Sequence, residues 1–296
     1  MADDNNKVNI TPEGGIPEGE IRPEVLNYDD VARMVPKLAK HPKFVNWLLH
    51  LLEVDKVNNV HAKCCDTPGP EFVKRLLIDE FKIKLRVDNE DVLKHLPEGP
   101  FITVSNHPFG ALDGIALIYL VTRYRPEYKV MVNMILNQIS AMRPNFIAVD
   151  AWASNDPAKR NVSIKGIRTT LQQLKKGEPV GFFPAGAMSK TTWSGKLEDR
   201  PWQPTILQLI ERAKVPVIPI YFHGSNSTSF NILGHICWPL RSIRLPHEVF
   251  RKVGTEMHIS IGEPISVEEQ LQHDGSTKEL GEFLRARTYE LREKYK

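Results

Sequence analysis

From about residue 100 onward the chain switches repeatedly between short apolar runs and longer amphipathic stretches, and this alternation narrows the folds open to it. Residues 101–105, 130–132 and 146–149 read as strands. Residues 157–176 read as a helix that stops at Gly177, where a left-handed cap is easy. A strand at 180–183, a helix at 204–212 and strands at 217–222 and 257–261 follow. Residues 267–294 read as mostly helical, with a break near Asp274 and Gly275. Residues 115–121 are apolar on every side, which suits a buried or lipid-facing helix. Strands separated by helices predict an α/β fold, with a largely parallel mixed sheet flanked by helices.

The first hundred residues have a different character. Residues 1–24 are rich in Asp, Asn, Gly, Pro and Glu and predict a mobile arm. Residues 25–80 read as an N-terminal helical segment with a possible membrane contact, and 81–296 as the α/β domain. Pro42 suits a first helical turn, after which Phe44, Val45, Leu48, Leu49 and Leu52 recur at helical spacing. Lys43, Asn46, His50 and Glu53 take the other face, with Trp47 at the border. Packing against its own domain explains this pattern. An in-plane membrane helix also explains it, with Lys37, Lys40 and Lys43 as a basic flank and Trp47 as an interfacial ring.

Composition excludes some partners. A formal charge of +3 over 296 residues is too mild to argue for nucleic acid, though it is compatible with an anionic membrane surface. The three cysteines are Cys64, Cys65 and Cys237. Two are adjacent, the count is odd and no metal-type spacing occurs, which points to a reducing, cytoplasmic setting. The acidic N-terminus does not resemble a secretory signal, and no apolar run reaches the roughly 18 residues of a spanning helix. His223, His235, His247 and His258 read as structural, because no second ligand stands near any of them at metal spacing. No metal is expected.

Chemistry concentrates in Ser105-Asn106-His107-Pro108-Phe109-Gly110-Ala111-Leu112-Asp113-Gly114, between an expected strand and an expected helix. Ligands in α/β sheets usually bind at strand ends. If the loop turns back, Asp113 can hold one imidazole nitrogen of His107 and leave the other free to take a proton. A base so placed supplies roughly 100- to 10,000-fold in rate. A surface histidine beside a helix-capping aspartate would show the same spacing. A second segment, Val180 to Ser189, runs from a strand into a Pro184-Ala185-Gly186 turn, where Gly186 lets backbone approach a ligand. A third, Val215-Pro216-Val217-Ile218-Pro219-Ile220, is a strand bracketed by prolines, as in a buried edge strand.

Taken in order, these segments resemble the lysolipid acyltransferase superfamily, which includes the glycerol-3-phosphate and lysophosphatidate acyltransferases. Asn106, His107 and Asp113 match its first block. Phe183, Pro184, Gly186 and Ser189 match part of its Phe-Pro-Glu-Gly-Thr-Arg-Ser block, and Val215, Pro216, Val217, Pro219 and Ile220 match its Val-Pro block. The resemblance covers about residues 80–265. It implies transfer of a fatty acyl group from a thioester to a hydroxyl, with His107 as general base, Asp113 as its orienter and no covalent acyl-enzyme. Acyl-carrier-protein or acyl-CoA would be the donor, with no bound cofactor. Asn106, Pro108, Phe109, Gly110, Phe183, Pro184, Ala185, Gly186 and Ser189 would contact substrate.

The chain departs from that family at defined places. Five residues, not four, separate His107 from Asp113, and Gly110 could absorb the extra one. Ala185 and Met188 replace the usual Glu and Arg, and Phe146-Ile147-Ala148-Val149-Asp150 lacks the arginine of the second block. Arginine forks are the usual ligands of a phosphate, so their loss argues against a glycerol-phosphate acceptor. The variant resembles the haemolysin-like branch, which implies a lyso-aminolipid acceptor of the ornithine or glycine type. A carboxylate head group still wants cations. Arg160 and Arg168 lie about 80 degrees apart on one expected helix, while Lys165, Lys190, Arg241 and Arg244 are further candidates; each could equally be a solvated surface charge. The expected partners are the acyl donor, the lysolipid and a membrane surface, with a peripheral location on the inner face of the cell membrane. Lysophosphatidate acylation and a non-catalytic lipid-binding or haemolysin-like role are the competing readings.

Overall fold

The apolar runs assemble into one seven-stranded sheet. The computed structural model describes residues 20–149, 157–192, 196–236, 241 and 243–295. Helices α1 (Tyr28–Met34), α2 (Pro42–Leu51), α3 (Val54–Cys64) and α4 (Pro70–Lys74) come first. Strand β1 (Lys84–Asp88), β2 (Ile102–Ser105), helix α5 (Ala111–Thr122), β3 (Lys129–Asn133) and β4 (Phe146–Val149) follow. The chain continues through α6 (Pro157–Lys175), β5 (Val180–Phe182), a ribbon of β6 (Lys190–Thr191) and β7 (Leu197–Glu198), and α7 (Pro204–Ala213). It ends with β8 (Val217–Phe222), α8 (Thr228–Ile236), α9 (Leu245–Arg251), β9 (Glu256–Ile261), α10 (Val267–Leu271) and α11 (Thr277–Lys294).

The strand order is β1-β9-β8-β2-β5-β3-β4. Every adjacent pair is parallel except β8 with β9. Alternate residues of the strands feed two apolar clusters. Val130, Val132, Ile218, Ile220 and Phe222 join one with Leu112, Ala116 and Leu120 of α5. Met131, Ile102, Val104 and Val217 join the other with Ile206 and Ile210 of α7 and Leu280 and Leu284 of α11. Helices cover both faces, so β2 and β8 are buried along their whole lengths. Residues 115–121 fall within α5; Tyr119 is partly buried and the other six are buried in this core.

Four features depart from the sequence expectations. Strand β1 and the β6–β7 ribbon are additional to the expected strands; both are only partly buried and so leave no continuous apolar run. β8 is an interior strand, flanked by β2 and β9. Its Pro219 is tolerated because the β8–β9 ladder is interrupted there. Pairing runs from Phe222↔Ile259 to Ile220↔Ile261 and resumes only at Val217↔Ile265, so the missing N–H falls in the gap. Finally, residues 1–19 of the expected arm lie outside the described residues, but its end is anchored. The Arg22 amide donates to Ser140 Oγ at 3.2 Å and its guanidinium pairs with buried Asp30 at 2.6 Å.

Helix α2 has apolar residues on both sides. Val45 is buried and Leu48, Leu49 and Leu52 are half-buried against the domain. Phe44, Trp47 and Leu51 point outward, the last two 58% exposed, with Phe44 and Trp47 stacked at 5.9 Å. Among the described residues no helix is long and apolar enough to cross a membrane.

Candidate active site

His107 and Asp113 meet because a sharp loop follows β2. Gly110 adopts φ +77°, ψ −122°, a backbone conformation open to glycine and strained for other residues. A Cβ there would also stand 2.7 Å from Met188 Sδ. This turn brings Asp113, in the first turn of α5, back under the loop. One carboxylate oxygen, Oδ2, accepts the amides of Phe109 at 2.9 Å and Gly110 at 3.0 Å. The same oxygen lies 3.0 Å from Nδ1 of His107. That separation is a close polar contact without the alignment of a straight hydrogen bond. Complete burial pushes the Asp113 carboxyl above its ordinary pKa, opposed by the facing imidazole and the two amides.

His107 is also held by a ring contact and by its backbone. It stacks on Phe183 at 4.1 Å between ring centroids, 27° from parallel. Its backbone carbonyl accepts the Ser189 amide at 2.8 Å, and its own amide donates to Asp199 Oδ1 at 3.3 Å. With Nδ1 turned to Asp113, Nε2 is the nitrogen left for chemistry. His107 borders a cavity of about 500 Å³. The walls are chiefly apolar, with Ile115, Met131, Val132, Leu136, Ile139 and Ile167, while Asn133, Ser163, Gln203 and Thr205 add neutral polar groups. Such a site can hold a long alkyl chain and deprotonate a hydroxyl at its polar end.

The structure sorts the expected substrate contacts into two groups. His107, Gly110, Phe183 and Gly186 line the cavity. Gly186 has φ +63°, and a Cβ on it would lie 1.9 Å from the Gln203 carboxamide. Asn106, Pro108, Phe109, Pro184, Ala185 and Ser189 stand behind this wall. The Asn106 carboxamide ties the end of β2 to β8, donating to the Phe222 carbonyl at 2.9 Å and accepting its amide at 2.7 Å. Pro108 accepts from Asn226, Pro184 accepts from the Gln203 amide, and Phe109 lies under Lys252. Ala185 is buried in the core.

Ser189 and its partners form a second layer. The Ser189 hydroxyl donates to Asp199 Oδ1 at 2.5 Å, and its carbonyl accepts from Arg241 Nη2 at 2.6 Å. Arg241 is 1% exposed, and burial pulls its pKa down to about 10. It is therefore a structural group of this layer and not a cation offered to a head group. Burial pushes the carboxyl of Asp199 upward. Asp199 carries no signal along the chain, because the β6–β7 ribbon that delivers it has no motif. Arg168, Lys165, Lys190 and Arg244 are exposed. The side chain of Arg160 lies outside the described residues. Among the described cavity residues none is an arginine or a lysine.

The apolar cavity, with the histidine–aspartate pair on its wall, lies at the carboxyl ends of the parallel strands, where α/β folds bind their ligands. Residues 30–296 match the family model described as Acyltransferase, and the chain belongs to this family of acyltransferases. It is 26% identical over 251 residues to the lyso-glycine lipid O-acyltransferase of Bacteroides thetaiotaomicron, covering 81% of this chain and 88% of that protein. It is 26% identical over 233 residues to the protein of the same description from Phocaeicola vulgatus, covering 76% and 79%. Its fold is similar to that of the 1-acyl-sn-glycerophosphate (LPA) acyltransferase, PlsC, from Thermotoga maritima. The TM-score is 0.50 at 15% identity, over 86% of this chain and 90% of that one.

Proposed function

We propose that the enzyme moves a fatty acyl group from acyl-CoA or acyl-carrier-protein to the hydroxyl of a lyso-aminolipid of the glycine or ornithine type, with His107 as general base. The observation that carries this reading is the His107–Asp113 contact of 3.0 Å on the wall of a chiefly apolar cavity. Nε2 takes the proton as the acceptor oxygen attacks the thioester carbonyl. The tetrahedral intermediate collapses, the carbon–sulfur bond breaks, and the imidazolium returns the proton to the departing thiolate. Asp113 keeps the ring oriented and balances its transient charge.

The two relatives named for lyso-glycine lipid favour an acceptor without a phosphate. The outward apolar face of α2 supports a peripheral position on a membrane, where both lipids reside. The test supplies labelled acyl-CoA or acyl-carrier-protein with lyso-glycine lipid, lyso-ornithine lipid or lysophosphatidate. Acylation of an aminolipid well above lysophosphatidate supports the assignment. Preference for lysophosphatidate rejects the acceptor, and lipid binding without transfer from either donor rejects the reaction.

A further inference from the structure

Three side chains outside the acyl site converge toward the β1 edge of the sheet. Asp88 ends β1, His258 lies near the start of β9 and His223 follows β8. The β8–β9 pairing sets the two histidines opposite each other, where the His223 amide donates to the His258 carbonyl at 2.9 Å. Their rings stack at 3.9 Å, 11° from parallel. Both turn Nε2 toward the same place. His258 Nε2 contacts Asp88 Oδ2, and His223 Nε2 lies 2.7 Å from Ser260 Oγ, which donates to that same Asp88 oxygen at 2.8 Å. One potential ligand atom from each of Asp88, His223 and His258 lies within 4.8 Å of the others. None of the three borders the cavity of His107.

We propose that Asp88, His223 and His258 bind one divalent transition-metal ion, of the zinc, cobalt or nickel kind. Two imidazoles and one carboxylate suit such borderline ions, whereas magnesium and calcium want mainly oxygen ligands. Tetrahedral ligands about 2.0–2.2 Å from an ion stand roughly 3.3–3.6 Å apart, and small side-chain rotations close the present spacing to that. Asp88 and His258 are 18% and 17% exposed, so ions have access and water can fill the remaining coordination positions. Ser260 would stay hydrogen-bonded to the Asp88 carboxylate and orient it, as outer partners of metal ligands do. An ion here would staple β1, β8 and β9 across the one antiparallel junction of the sheet. The ligands come from segments up to 170 residues apart, so no metal spacing is visible along the chain.

The test uses the full-length chain, treated with chelator and then dialysed, and titrates Zn²⁺ by calorimetry. Competing sites on Cys64, Cys65 and Cys237 are removed by serine substitution in the background used for every variant. The expected result is one saturable equivalent in that background, its loss in His223→Ala and His258→Ala, and a Zn²⁺-dependent rise in melting temperature that Asp88→Asn abolishes. Circular dichroism shows whether each variant is folded, and Asp88→Asn, the least disruptive change, serves if a histidine variant is not. Absence of a saturable site, or a site unchanged in the folded variants, would overturn the proposal and leave a hydrogen-bond network only. The readout is binding, so it is independent of any acyl transfer.

Discussion

Asp113 accepts the amide of Gly110 at 3.0 Å with the same oxygen that faces His107. The loop that carries His107 and the helix that carries Asp113 are thus locked by one atom, and Gly110 is the hinge of that lock. Gly110→Ala would meet both a left-handed backbone and Met188. Strain of this kind costs about 1–3 kcal/mol, so a lower melting temperature and a steep fall in kcat are expected together. Thermal denaturation and steady-state kinetics on one preparation check this.

Asp113→Asn keeps the shape but removes the charge and can hold the wrong tautomer. By analogy with other histidine–aspartate pairs, kcat should fall roughly 10³- to 10⁴-fold with little change in KM. An equal fall in stability and activity would instead assign Asp113 a purely structural part.

Asn106 and Asp199 are expected to show their roles mainly in stability. Asn106→Ala strips partners from both backbone groups of Phe222, and Asp199→Ala strips them from the Ser189 hydroxyl and the His107 amide. Each change should cost about 2–4 kcal/mol in chemical denaturation, from unsatisfied buried groups. Asp199→Asn should be much milder, because Oδ1 can still accept from the Ser189 hydroxyl and the His107 amide.

These predictions mark what was legible along the chain. The alternation of apolar runs foretold the layers because β2, β5 and β8 are buried on both faces, leaving continuous apolar sequence. The contact of His107 with Asp113 was legible because it spans only seven residues of chain. By residue type Asn106 and Ser189 fit substrate contacts and Arg241 a head-group cation, yet each is turned inward to backbone or to another buried group. Residue type does not encode which way a side chain faces. Asp199 and the Asp88–His223–His258 cluster were invisible because strand pairing, not sequence spacing, assembles them.

Stability should also depend on pH through His223. Burial and the neighbouring His258 hold its pKa down to about 4, whereas an unfolded histidine titrates near about 6.5. On acidification the unfolded chain binds the proton first. Stability from this group is therefore complete above about pH 6.5 and is lost as pH falls from there toward 4. Denaturant titrations in chelator across that range should show the loss, and His223→Asn should flatten it.

The outward face of α2 gives a membrane prediction. The protein should sediment with anionic vesicles and be released by salt. Trp47→Ser with Leu51→Ser should reduce the bound fraction several-fold without unfolding the helix, since Val45, Leu48 and Leu49 hold it to the domain. An unchanged bound fraction would remove α2 as the contact.

The most direct measurement is transfer of a labelled acyl group from its thioester to lyso-glycine lipid by the wild-type chain and by His107→Ala, both checked for intact fold. The wild type should form the diacylated product. The variant should lose at least about 100-fold in rate, the lower end of what a positioned base supplies. Undiminished turnover in a folded His107→Ala enzyme would contradict the assignment of the base, and with it the account of the site.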